Sequence, residues 1–155
     1  MRLEINGWSS KITFSATHII PGHQKCGRLH GHDYAINAAV FGEVGAGGVI
    51  VDFISLKGFL RGVADELDHK ILIPMKDSSV EISGETVRYT SCGKHYSFPK
   101  VDCALLDLEV ASAEGLAEYV LRDLLSKMKF PANVKRVELG VDEGRGQGVW
   151  TGLDL

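Results

Sequence analysis

Cys26-Gly27-Arg28-Leu29-His30-Gly31-His32, continuing as Asp33-Tyr34-Ala35-Ile36-Asn37-Ala38-Ala39-Val40, is the stretch on which the reading of this chain turns. Its second half is apolar and reads as a β-strand. Residues i and i+2 of a strand point to one face. His30 and His32 therefore share a face with Tyr34, Ile36, Ala38 and Val40. Two imidazoles on the buried side of a strand suit a divalent metal such as zinc. The pair alone is a weak motif, equally read as two ordinary histidines. A metal centre needs at least a third protein ligand from elsewhere.

Residues 8–18 supply a candidate. Ile12, Phe14, Ala16 and His18 alternate with Lys11, Thr13, Ser15 and Thr17, so this segment reads as the first strand with His18 on its inward phase. A lone inward histidine is more often a hydrogen-bonded core residue. If the two strands are antiparallel neighbours, however, His18, His30 and His32 converge. Three histidines with an open fourth position are a catalytic zinc pattern. The Ile19–Arg28 connection carries Pro21-Gly22 and Gly27 and reads as a loop. Cys26 within it has three readings: a fourth ligand, a thiolate acidified by its surroundings, or an inert small hydrophobe. His23 and Lys25 read as solvated, with contact to an anionic substrate group as the alternative.

Downstream, Gly42–Gly48 is a glycine-rich turn with no Gly-Lys-Ser/Thr, so it is not a phosphate loop. Val49-Ile50-Val51 reads as a third strand. Asp52 is a plausible N-cap for a helix whose apolar stripe is Leu56, Phe59, Leu60, Val63 and Leu67. That helix ends at Leu67-Asp68-His69, where a carboxylate beside an imidazole can form a proton relay. Residues 78–99 read as an extra hairpin turning at Cys92-Gly93-Lys94, with Cys92 and His95 structural. Ser112 caps a second helix with Glu114 in its first turn. The last strand runs from Val134 to about Glu143, and Val137, Leu139, Val141 and Glu143 share a phase. A carboxylate on a buried face requires a partner, and a surface fray at the strand end is the equal alternative.

The 155 residues fit one domain, 1–155, and the 45% hydrophobic and 24% charged content is ordinary for a globular protein. A net charge of −3 argues against a nucleic-acid binder working by bulk charge. No apolar run is long enough for a membrane span, and the first residues lack a signal-peptide core. Three cysteines without paired spacing predict a reduced compartment, hence a cytoplasmic protein.

At this point the motifs match a known pattern. The chain resembles the 6-pyruvoyltetrahydropterin synthase / 6-carboxytetrahydropterin synthase family over nearly its whole length. Phe14-Ser15-Ala16-Thr17-His18 resembles the first-strand motif, and Cys26-Gly27-Arg28-Leu29-His30-Gly31-His32 the Cys-x-x-x-His-Gly-His motif. Val51-Asp52-Phe53, Leu67-Asp68-His69 and Ala113-Glu114 resemble three further motifs. The resemblance implies Zn2+ on His18, His30 and His32, Cys26 as general base, and Asp68 and His69 as relay. It implies a strand glutamate anchoring the pterin, best matched by Glu143 with Asp142 as the other choice, and Glu114 as a further substrate contact. It implies an α+β fold: an antiparallel four-stranded sheet with two helices on one face. It further implies homo-oligomers, a hexamer of two trimers favoured, with active sites between subunits.

The short motif spacing resembles the carboxypterin branch. That branch converts 7,8-dihydroneopterin triphosphate to 6-carboxy-5,6,7,8-tetrahydropterin, releasing acetaldehyde and triphosphate, for 7-deazaguanine synthesis (queuosine or archaeosine). The alternatives are a pyruvoyl synthase, a dihydroneopterin aldolase-like member, and a non-catalytic zinc-stabilised module with Cys26 as fourth ligand.

Overall fold

A computed structural model describes residues 1–155. In chain order the elements are β1 (Arg2–Ile5), α1 (Gly7–Ser10), β2 (Thr13–His18), β3 (His30–Gly42), α2 (Phe53–Leu67), β4 (Lys70–Pro74), β5 (Val80–Ser83), β6 (Thr86–Ser91), β7 (Lys94–Pro99), β8 (Cys103–Leu106), α3 (Ala113–Lys127), β9 (Val134–Glu143) and β10 (Gly148–Asp154). The architecture is α+β, with α2 and α3 covering one face of the main sheet.

The spine is β3, thirteen residues long and buried along most of its length. Its first half pairs antiparallel with β2, from Thr13↔Ala35 to His18↔His30, and its second half pairs with β1 on the same edge. Its other edge carries β9, with Tyr34 opposite Glu143. The full order is β10-β9-β3-β2-β4-β8, with β1 on β3. Seven strands therefore stand where four are expected. Two of them, β4 and β8, run parallel to β2 and to each other.

Local readings differ from the structure at three places. Residues 8–10 belong to α1, a single helical turn capped by the Asn6 side chain, and strand geometry begins at Thr13. Gly7 makes this turn possible, because a Cβ there would run into the Ile36 carbonyl of β3. Val49–Val51 form no strand; they lead as coil into the Asp52 cap. The missing antiparallel strand is instead β10, an edge strand whose partly exposed pattern hides its pairing with β9.

Both helices start at the expected caps. Asp52 accepts from the Ile54 and Ser55 amides, and the Ser112 hydroxyl accepts from Gly115 N. The buried stripe of α2 (Leu56, Leu60, Val63, Ala64, Leu67) meets that of α3 (Leu116, Ala117, Val120, Leu121, Leu124) over the inward residues of β2, β3 and β9. The 78–99 segment forms its own three-stranded sheet, β5-β6-β7, packed on a small cluster of Ile19, Ile73, Val87 and Tyr89.

Candidate metal centre

The β2–β3 register decides the site. His18 lies opposite His30, Ala16 opposite His32 and Phe14 opposite Tyr34. Alternation aims all six side chains at the helix face. One potential ligand atom each from His18, His30 and His32 fall within 4.8 Å of one another. Hydrogen bonding sets how these rings present themselves. His18 Nδ1 donates to the Ala111 carbonyl at 2.6 Å, and His30 Nδ1 donates to the Arg28 carbonyl at 2.8 Å. Each ring therefore turns its Nε2 toward the other, 3.1 Å away. Two lone pairs at that distance repel unless a proton or cation sits between them. The third ring adds to this demand, because His32 Nε2 is buried without a partner.

Burial is the first cause that holds His18 below the ordinary imidazole value, and the Ala111 carbonyl and Glu143 only partly oppose it. A neutral imidazole is the metal-binding form. Carbonyls behind His18 and His30 are the orienting contacts expected around metal-binding histidines. The donor set thus fits a divalent metal.

Glu143 closes one side. Its Oε1 accepts from the Tyr34 hydroxyl at 3.3 Å and lies 3.5 Å from His18 Nε2; its Oε2 lies 3.9 Å from His32 Nε2. Burial first, and Glu143 second, raise the Tyr34 pKa, so that hydroxyl stays a donor. Asp142 faces away and accepts from the Trp8 indole at 2.8 Å, with the Arg145 guanidinium stacked over Trp8. The strand phase therefore puts Glu143, and not Asp142, on the side of the imidazoles. Gly144 follows with φ +77, a left-handed conformation that a β-branched residue resists, and its amide donates to the Asp33 carbonyl.

These groups open on a cavity of about 570 Å³ whose lining includes His18, His30, His32, Cys26, Glu114 and Glu143. Cys26 sits beside the imidazoles but outside their cluster. Glu114 lies at the start of α3, where its own amide first, and Ser112 second, lower its carboxyl pKa. Tyr34 and Gln147 belong to this neighbourhood and are not candidates from sequence. Tyr34 carries a usable signal, its shared phase with His30 and His32; Gln147 carries none.

Asp68 and His69 do not line this cavity. They form a pair of their own, Oδ2 to Nδ1 at 2.7 Å, in clefts on the other side of β2. Asp68 also accepts from Ser15 N at 2.8 Å, the first cause of its lowered pKa. His69 has φ +58, held by its amide donating to the Ser15 carbonyl. Within one subunit the expected relay and the expected base are apart.

The 6-pyruvoyl tetrahydropterin synthase family model matches residues 8–150. A Methanocaldococcus jannaschii protein, provisionally named 6-carboxy-5,6,7,8-tetrahydropterin synthase, is 35% identical over 96% of this chain and 94% of its own length. The structure of 6-pyruvoyltetrahydropterin synthase from Plasmodium vivax superposes with a TM-score of 0.90 at 26% identity, covering 100% of this chain and 98% of that one. A shorter match, 34% identical over 44% of this chain and 58% of its own, is to dihydroneopterin monophosphate aldolase of Pyrococcus furiosus. The chain belongs to the 6-pyruvoyl tetrahydropterin synthase family, a family of pterin-processing lyases.

Proposed function

We propose that this chain, as a single pterin-synthase domain over 1–155, is a zinc-dependent 6-carboxy-5,6,7,8-tetrahydropterin synthase. It takes 7,8-dihydroneopterin triphosphate and releases acetaldehyde and triphosphate, feeding 7-deazaguanine synthesis in the cytoplasm. The observation that carries the reading is the convergence of three imidazoles, one of them with a buried nitrogen that has no partner, with a thiol and an inward carboxylate around one cavity. The name of the Methanocaldococcus relative supports the carboxypterin branch.

Each residue has a task the geometry permits. His18, His30 and His32 would hold Zn2+, which when bound would supply Lewis-acid polarisation of the substrate's side-chain oxygens. Glu143, oriented by the Tyr34 hydroxyl, accepts hydrogen bonds from the amine and ring nitrogen of the pterin. Cys26 takes a side-chain proton as general base. Glu114 contacts the substrate from the start of α3. Asp68 and His69 serve the site of a neighbouring copy, since in their own subunit they face elsewhere. Homo-oligomers, a hexamer of two trimers favoured, then place active sites between subunits.

The test is a product assay with the zinc-loaded protein and 7,8-dihydroneopterin triphosphate, pterin and aldehyde being identified by mass. Carboxytetrahydropterin with acetaldehyde is expected. Pyruvoyltetrahydropterin would move the chain to the other synthase branch. Aldolase-type cleavage is the second reading, favoured by the partial match to the Pyrococcus aldolase. Bound zinc with no turnover of any pterin would leave a non-catalytic module.

A further inference from the structure

The loop from Ile19 to Leu29, which carries Cys26, bonds mostly to itself. Ile20 N donates to the Cys26 carbonyl at 2.9 Å, Gly27 N to the His23 carbonyl at 2.7 Å, and Cys26 N to His23 Nδ1 at 2.9 Å. Such a loop holds its shape but not its position. Its ties to the body come largely from the inserted hairpin. Ser91, one of few buried polar side chains, donates its hydroxyl to the Gly27 carbonyl at 3.0 Å. The Tyr96 hydroxyl accepts from Leu29 N at 3.4 Å. Cys92 Sγ approaches the His23 carbonyl at 3.9 Å, so the hairpin touches the loop on both sides of Cys26. Beneath these contacts, Ile19 is buried against Val87 and Tyr89 of β6.

The hairpin is itself shaped and anchored for this contact. Its turn residues Cys92 and Gly93 both have positive φ, a pattern that favours Asn-Gly or Gly-Gly. Cys92 adopts the disfavoured conformation while its sulfur rests on the loop. There is no room for a Cβ at Gly27, because Cys92 Sγ and the His23 carbonyl fill the space. The Tyr89 hydroxyl donates to Asp77 at 2.8 Å, tying β6 to the segment leading into the hairpin.

We propose that the β5-β6-β7 hairpin is a positioning element for Cys26, with Ser91 as its principal positioning residue and Tyr96 as its second. The proposal rests on Cys26 being the proton-accepting thiol of the function proposed above. A base that must meet one substrate hydrogen loses rate steeply when displaced by fractions of an ångström. A hydroxyl fixing the carbonyl of Gly27, the residue after Cys26, acts on that displacement without touching substrate.

The test uses full-length, zinc-loaded Ser91→Ala, Ser91→Thr and Tyr96→Phe. Two readouts are taken: kcat and KM on the pterin triphosphate, and the pH profile of Cys26 alkylation by iodoacetamide, separated from Cys92 and Cys103 by peptide mass. For Ser91→Ala we expect kcat to fall roughly tenfold at unchanged KM and zinc content, with a displaced alkylation profile. Tyr96→Phe should move both readouts the same way by less, and Ser91→Thr should restore them. Wild-type values in Ser91→Ala and Tyr96→Phe, or a kcat loss with an unchanged Cys26 profile, overturn the proposal. If Ser91→Ala does not fold, Tyr96→Phe decides alone by the same readouts. Absence of turnover in the wild-type protein would count against the proposed function, while the alkylation profile still judges the hairpin.

Discussion

His32 concentrates the chemistry of the site in one atom. Its buried Nε2 has no partner, and the adjoining His18 and His30 rings are fixed by carbonyls so that their free nitrogens converge on it. Such an arrangement is stable only with a cation present or with protons shared among the rings. His32→Ala is therefore expected to lose bound metal, measured by elemental analysis, and to lose the metal-dependent part of its thermal stability. Cys26 lies outside that cluster. Cys26→Ala should keep its full metal content and lose turnover by a factor of about 10²–10⁴, the usual contribution of a general base. Metal loss on that substitution would make Cys26 a ligand and return the chain to the zinc-stabilised module.

At the level of elements, the junction of α2 with β2 is held by Asp68, the C-terminal cap of that helix. Its carboxylate accepts from Ser15 N of β2 and pairs with His69, and both contacts favour the ionised form. A carboxyl whose folded pKa lies below its unfolded value stabilises the protein above the unfolded value, near 3.8 here. That contribution disappears as pH falls through the lower folded value. Asp68→Asn should thus cost about 0.5 kcal/mol at neutral pH, a small figure because the carboxylate is 39% exposed. The deficit should vanish in urea titrations run well below pH 3.8. A deficit constant across that range would show that the ionised carboxylate contributes nothing to the junction.

At the level of the whole molecule, the separation of His69 from the metal cavity matters most. If active sites form between copies of the chain, Cys26→Ala and His69→Ala should each be inactive alone and complement when refolded together. In a random mixture, about one site in four pairs an intact Cys26 with an intact His69. Recovered activity near that fraction is expected; none, with both variants inactive alone, would mean that Cys26 and His69 are not shared between copies, and a fully active His69→Ala would separate His69 from the reaction.

Much of the site was legible in the chain because strand phase is a local property. Alternation alone put His18, His30 and His32 on inward faces and gave Glu143 the phase of Val137, Leu139 and Val141; in the structure it meets Tyr34. Both helices begin at Asp52 and Ser112 because capping needs only neighbouring amides. Less local features were hidden. The edge strand β10 and the parallel pair β4–β8 depend on neighbours far away in sequence, and short runs such as Ile71–Pro74 carry no period that distinguishes them. The role of Gly7 shows only where the Ile36 carbonyl stands against it. Local periodicity sets the faces on which His18, His30 and His32 lie, because side-chain direction follows from the backbone. Only the tertiary structure decided that the three imidazoles meet, that Glu143 rather than Asp142 joins them, and that Asp68 and His69 do not. Those outcomes follow from register and packing between strands far apart in the chain, which no local pattern encodes.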